Sequence, residues 1–130
     1  MQHILFWLYL VNMTLFILHE MDSAYWKEWE LFRLPGGVAG FLLIHFPLFL
    51  VGSYGVVEVS RGSWVGWVLS LVIGGAGLVA FCLHSYFLWR GRSEFNTPIS
   101  KTILAIWLVT SLAQIVVTIG MRGALLTGIQ

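Results

Sequence analysis

The chain has 130 residues, of which 58% are hydrophobic and only 10% charged, with a net charge of +1 at pH 7. A soluble domain carries about a quarter charged residues, so this composition excludes the ordinary soluble class and points to an integral membrane protein. With no basic run, the chain also lacks an electrostatic footprint for nucleic acid.

Mean hydropathy is +0.86. At about 20 residues per span, the length allows a single domain, residues 1–130, of four membrane helices with short connections. The fold expected is all-α: an antiparallel up-down four-helix bundle in the membrane. Its predicted helices cover about 4–18, 38–57, 64–89 and 99–121, with a distinct segment at 20–32.

The first apolar segment reads as a retained helix rather than a signal peptide. No Lys or Arg precedes it, no small-x-small site follows, and Glu20 and Asp22 stand where cleavage would fall. Asn12, His19 and Asp22 share one of its faces. Residues 20–32 (EMDSAYWKEWELF) are charged and aromatic together, with no helix breaker before Pro35. Met21, Tyr25, Trp29 and Phe32 fall on one side, so this stretch is either an extension of the first helix or a helix lying in the interface. Glu20, Asp22, Glu28 and Glu30 read mainly as its solvated acids, balanced by Lys27 and Arg33.

A proline and two glycines at residues 35–37 reverse the chain. The second segment carries His45, and Pro47 is expected to kink or loosen it and free a backbone carbonyl. Residues 60–63 form a polar turn. In the third segment Gly66, Ser70, Gly74 and Gly77 make a small-residue stripe suited to close packing, and His84 continues it. Cys82 is the single cysteine, so no intrachain disulfide forms, and it reads as a small apolar filler. Thr97-Pro98 reads as an N-cap followed by proline in the first turn of the last helix. There Ser100, Trp107, Ser111, Gln114 and Thr118 share a stripe, with Ser111 and Gln114 expected to bond between helices.

Short connections make neighbouring helices antiparallel. The 20–37 and 90–98 linkers then share one membrane face, with Lys27, Arg33, Arg90, Arg92 and Lys101. The opposite face holds the N-terminus and only Arg61 and Arg122. This excess makes the first face cytoplasmic and puts both termini outside the cytoplasm.

His19, His45 and His84 lie in three different segments at one depth near that cytoplasmic face. At ~1.5 Å per residue, His45 and His84 sit roughly 9–12 Å inside it. An ionisable side chain in the bilayer costs at least ~2.5–3.5 kcal/mol, so it ordinarily serves a site. Imidazole and carboxylate together suit Zn, Fe or Mn. The expected divalent-metal ligands are His19, His45, His84 and Asp22, and the candidate catalytic acids are Glu20 and Asp22. Glu20, about 100° round the helix from His19, is the poorer ligand, and serves as a base if the helix unwinds there. Such a site at a membrane edge suggests a hydrolase acting on a lipid. His3 lies near the other face and has no assigned role.

The motifs Leu18-His-Glu-Met-Asp22, Trp26-Lys-Glu-Trp29 and Glu94-Phe-Asn-Thr-Pro-Ile-Ser100 resemble those of small uncharacterised bacterial four-helix membrane proteins with a histidine-acid motif ending helix 1. His19, Asp22, Ser23, His45 and His84 are also remotely similar to the zinc-binding residues and active-site serine of the alkaline ceramidase superfamily, which has about seven helices. That likeness implies zinc and lipid hydrolysis. Two other functions compete: a b-type haem carrier with His45 and His84 as axial ligands, and a non-catalytic subunit with packing or pH-sensing histidines. The haem reading leaves the acids beside His19 without a role. Membrane lipids are the expected partners, with a homo-oligomer or another membrane protein as a further possibility.

Overall fold

The computed structural model describes the backbone over residues 1–127 and the side chains over residues 1–121. The chain folds into α1 (Gln2–Tyr25), α2 (Glu28–Leu31), α3 (Gly37–Ser60), α4 (Trp64–Trp89) and α5 (Pro98–Thr127), with no strand among the described residues. All but the single-turn α2 are long and apolar enough to cross a membrane, with hydropathies of 1.6, 1.8, 2.1 and 2.1. A helix of 24 residues is ~36 Å long, against a hydrocarbon core of ~30 Å. This is a four-helix membrane bundle.

Its burial pattern follows from a lipid solvent. Asn12, Ser70, Ser100, Ser111, Gln114 and Thr118 are fully buried, whereas Leu43, Phe46 and Val116 are about 70% exposed. Polar groups turn inward because acyl chains cannot hydrogen-bond them, and aliphatic groups turn outward because lipid costs them nothing.

The helices pack in the cyclic order α1–α3–α4–α5, with α1 and α4 also touching across the diagonal. Neighbours run antiparallel. Gln2 at the start of α1 reaches the Val59 carbonyl at the end of α3, and Tyr9 donates to the Gly52 carbonyl at 2.9 Å. The small-residue stripe of α4 does what its sequence predicts. A methyl group on Gly77 would meet Trp107 Nε1 at 2.9 Å and Ser111 Cβ at 3.1 Å, so glycine is what allows α4 and α5 this approach.

The middle of the bundle is held by a buried polar network. Asn12 Nδ2 donates to Gln114 Oε1 at 2.6 Å, and Gln114 Nε2 donates to the Ser70 carbonyl at 2.7 Å. Thr110 and Ser111 both donate to Asn12 Oδ1, at 2.6 and 3.3 Å. Ser70 and Thr118 share a bond of 2.8 Å. These bonds join α1, α4 and α5 and leave the amides satisfied.

Helix ends follow local chemistry. The Ser63 hydroxyl accepts from Gly66 N–H at 3.0 Å to cap α4, and Thr97 accepts from Ser100 N–H at 3.2 Å to cap α5. At the same end as Ser63, Glu58 pairs with Arg61 at 2.8 Å.

Three local expectations change. The 20–32 segment is neither of the two pure alternatives: α1 runs on to Tyr25, and a separate turn, α2, follows the break. The helix of α3 continues through Pro47, whose ring is exposed, so the lost hydrogen bond falls on the lipid side and not in a cavity. Cys82 is exposed on the outer face of α4 rather than packed inside.

Candidate metal centre

The site is assembled from three separate pieces of chain. His19 lies on the buried face of α1, two turns beyond Asn12, and is 3% exposed. His84 extends the glycine stripe of α4 and is 1% exposed. The two imidazoles meet edge to face with centroids 4.6 Å apart.

The third piece depends on a chain reversal without glycine or proline. α1 closes with Trp26 N–H bonded to the Asp22 carbonyl and Lys27 N–H to the Ala24 carbonyl. Lys27 then takes φ 52°, in the left-handed region that L side chains rarely adopt. This folds α2 back over the end of the bundle. Trp29 packs on Phe41 of α3 at 5.6 Å and Phe32 on Phe87 of α4 at 5.4 Å, which clamps the turn in place.

The clamp delivers Glu28 to the histidines. Its carboxylate is 13% exposed, and Oε1 stands 3.8 Å from His84 Nε2. His19, Glu28 and His84 each offer one ligand atom, and the three atoms lie within 4.8 Å of one another. Tetrahedral ligands around Zn²⁺ are about 3.4 Å apart, closer than the 4.8 Å within which these three atoms lie. This group could hold a metal ion.

The donor chemistry fits a cation as well as the spacing does. His19 Nδ1 and both ring nitrogens of His84 are buried with no hydrogen-bond partner. The nearest polar atom to His19 Nε2 is the Ser23 hydroxyl at 3.5 Å, a weak contact. Buried polar atoms are nearly always satisfied, and an imidazole nitrogen that carries no hydrogen is a donor that a divalent cation can take. Burial holds the Glu28 carboxyl above its ordinary value of 4.5; the Ser23 hydroxyl and His45 oppose that shift, and Asp22 adds to it. A cation would reverse this balance.

Aromatic rings seal the group. Trp107 of α5 packs on His19 at 5.2 Å. Phe95, in the α4–α5 linker, covers His84 at 4.0 Å and His19 at 5.9 Å. Phe95 itself adopts φ 62° and is 1% exposed. A bulky residue in that strained conformation is held there by its packing.

The other expected site residues fall in different places. His45 turns to α1, where Nε2 is 2.7 Å from Glu20 Oε2, and its Nδ1 is 2.7 Å from the Phe41 carbonyl oxygen. A nitrogen facing a carbonyl must carry hydrogen, so the Glu20–His45 contact holds a proton on one partner or the other. Asp22 is half-buried and acts on Glu28 through its charge, but lies outside the three-residue group. For the haem alternative, His84 is packed against His19 and Phe95, and His45 against Phe41 and Glu20.

Glu28, which the sequence places among the solvated acids of residues 20–32, is instead the carboxylate beside the histidines. One signal existed. If Phe32 faces the bundle in an interfacial helix, Glu28 lies four residues earlier on the same face.

Fold and site together define a small polytopic helical membrane protein with a buried His/Glu group near one end. The chain belongs to DUF6713, a family of unknown function, whose profile matches residues 5–121. No curated protein and no solved structure matches the chain. The likeness to alkaline ceramidases therefore rests on the quoted residues alone.

Proposed function

We propose that the protein binds one divalent cation (Zn, Fe or Mn) through His19, Glu28 and His84 at the cytoplasmic end of its bundle. The observation that carries this reading is the meeting of two buried imidazoles and a half-buried carboxylate, whose ligand atoms lie within 4.8 Å of one another, with no hydrogen bond to either ring nitrogen of His84. Two imidazoles and a carboxylate form a donor set used by catalytic zinc, with a fourth position left over. The excess of Lys and Arg on the linkers of that end supports a cytoplasmic placement, with the N- and C-termini outside, in a bacterial inner membrane.

The reaction this site would serve is hydrolysis of a lipid ester or phosphoester. The cation would supply polarisation of the scissile group. The Glu20–His45 pair would hold and pass the proton that moves from water to the leaving alcohol, and Asp22 would orient Glu28 through its charge. A second reading is favoured by the near-complete burial of His19 and His84 under Phe95: a cation that staples α1, α2 and α4 in a non-catalytic subunit.

Elemental analysis of detergent-purified protein tests the proposal. About one metal per chain is expected in the parent protein, lost in His19→Ala and His84→Ala and retained in His45→Ala. Metal-free parent protein, or equal metal in parent and His84→Ala, would refute it. Turnover of a lipid ester by the loaded protein separates the hydrolase from the staple.

A further inference from the structure

A cleft of about 550 Å³ opens on the outer side of α2, at the same end of the bundle as the histidines and independent of them. Arg33, Arg90 and Arg92 line it together with Glu30, Tyr86 and Phe87. Three guanidinium groups against one carboxylate leave its walls positive. Arg92 is engaged by Glu94 at 2.8 Å and Glu30 by Lys27 at 3.8 Å. Among the described residues, no acid stands within ion-pair distance of Arg33 or Arg90.

The cleft is built, not incidental. The Phe32–Phe87 contact at 5.4 Å fixes the α2 segment to α4 and sets its two walls. Arg33 is aimed by a left-handed backbone, φ 56°. Gly91, φ 78°, turns the chain between Arg90 and Arg92.

We propose that this cleft binds the phosphate of an anionic phospholipid headgroup. Guanidinium forks match phosphate oxygens in pairs, and basic clusters at the cytoplasmic membrane surface attract anionic lipid. The surroundings favour a lipid over free phosphate. Phe87 gives the cleft an apolar wall, and Tyr86 and Trp89, 50% and 78% exposed, stand where interfacial rings sit. Below them Leu83 and Val79 expose the apolar flank of α4 along which acyl chains would run.

Nanodiscs of the full chain, containing phosphatidylglycerol or phosphatidylcholine, test this by native mass spectrometry of the lipids retained on release. Phosphatidylglycerol should be retained at least about tenfold over phosphatidylcholine. Retention should fall about fivefold for each of Arg33→Gln, Arg90→Gln and Arg92→Gln. The matching Arg→Lys variants should fall between, because they keep charge but lose the fork. Unfolding midpoints in mixed micelles should be unchanged in all of them, which reports intact folding whether or not the histidine site holds metal. Equal retention of both lipids, or full retention by the triple Arg→Gln variant, would overturn the proposal. So would displacement of phosphatidylglycerol by an equal concentration of inorganic phosphate.

Discussion

Gly77→Ala, compared with Gly75→Ala, measures how closely α4 and α5 are locked together beside the histidines. At Gly77 a new Cβ would land on Ser111 Oγ and lie 2.9 Å from Trp107 Nε1. Neither neighbour can swing away freely. Ser111 donates to Asn12 at 3.3 Å, and Trp107 is held between Phe16 at 5.9 Å and His19 at 5.2 Å. Relief requires the helices to part, and overpacking of this kind costs about 1–3 kcal/mol. Alanine returns about 0.5–1 kcal/mol of helix propensity, so the net loss should be about 1–2 kcal/mol. Gly75 has nothing within 4 Å of its Cβ position. There only the propensity gain operates, and the protein should be stabilised by up to about 1 kcal/mol. Unfolding in mixed micelles, followed by tryptophan fluorescence, gives both values. If the two variants shift stability in the same direction and by the same amount, the close approach inferred for α4 and α5 is wrong.

Asn12→Ala should cost about 0.6–2 kcal/mol in the same unfolding assay, because the buried Gln114 Oε1 loses its 2.6 Å donor; an unchanged midpoint would show that the amide finds another partner. For metal-free protein, Glu28→Gln gives a pH-dependent difference whose sign follows from burial. The carboxyl of Glu28 is raised above 4.5 in the fold, so its contribution to stability is present below that value and lost as pH rises through the raised one. The parent should therefore match Glu28→Gln at low pH and fall behind it as pH rises, read from unfolding midpoints across pH; a gap that closes with rising pH would contradict the buried position of Glu28.

The membrane-facing half of this protein was legible because its cause is local. Apolar runs, a Thr-Pro cap and polar residues at helical spacing each state their consequence in sequence, and the inward stripes of α1, α4 and α5 follow that spacing. His19 and His84 belong to those stripes, so their burial and common depth could be read in advance. His45 belongs to α3, of whose most apolar window only 17% is buried. With so little of α3 committed to the core, its rotation had no strong periodic signal, and His45 turns to Glu20 instead.

By itself the sequence determined four spans, their alternating directions and two imidazoles brought to one level, since hydropathy and period 3.6 act within each helix. Only the tertiary structure decided that Glu28, and not Asp22, completes the group. That choice rests on the reversal at Lys27, where no glycine marks the left-handed turn, and on the Trp29–Phe41 and Phe32–Phe87 contacts that make the reversal worth its strain. Long-range packing selected a backbone conformation that local propensity disfavours, and such a choice is invisible until the partners are in place.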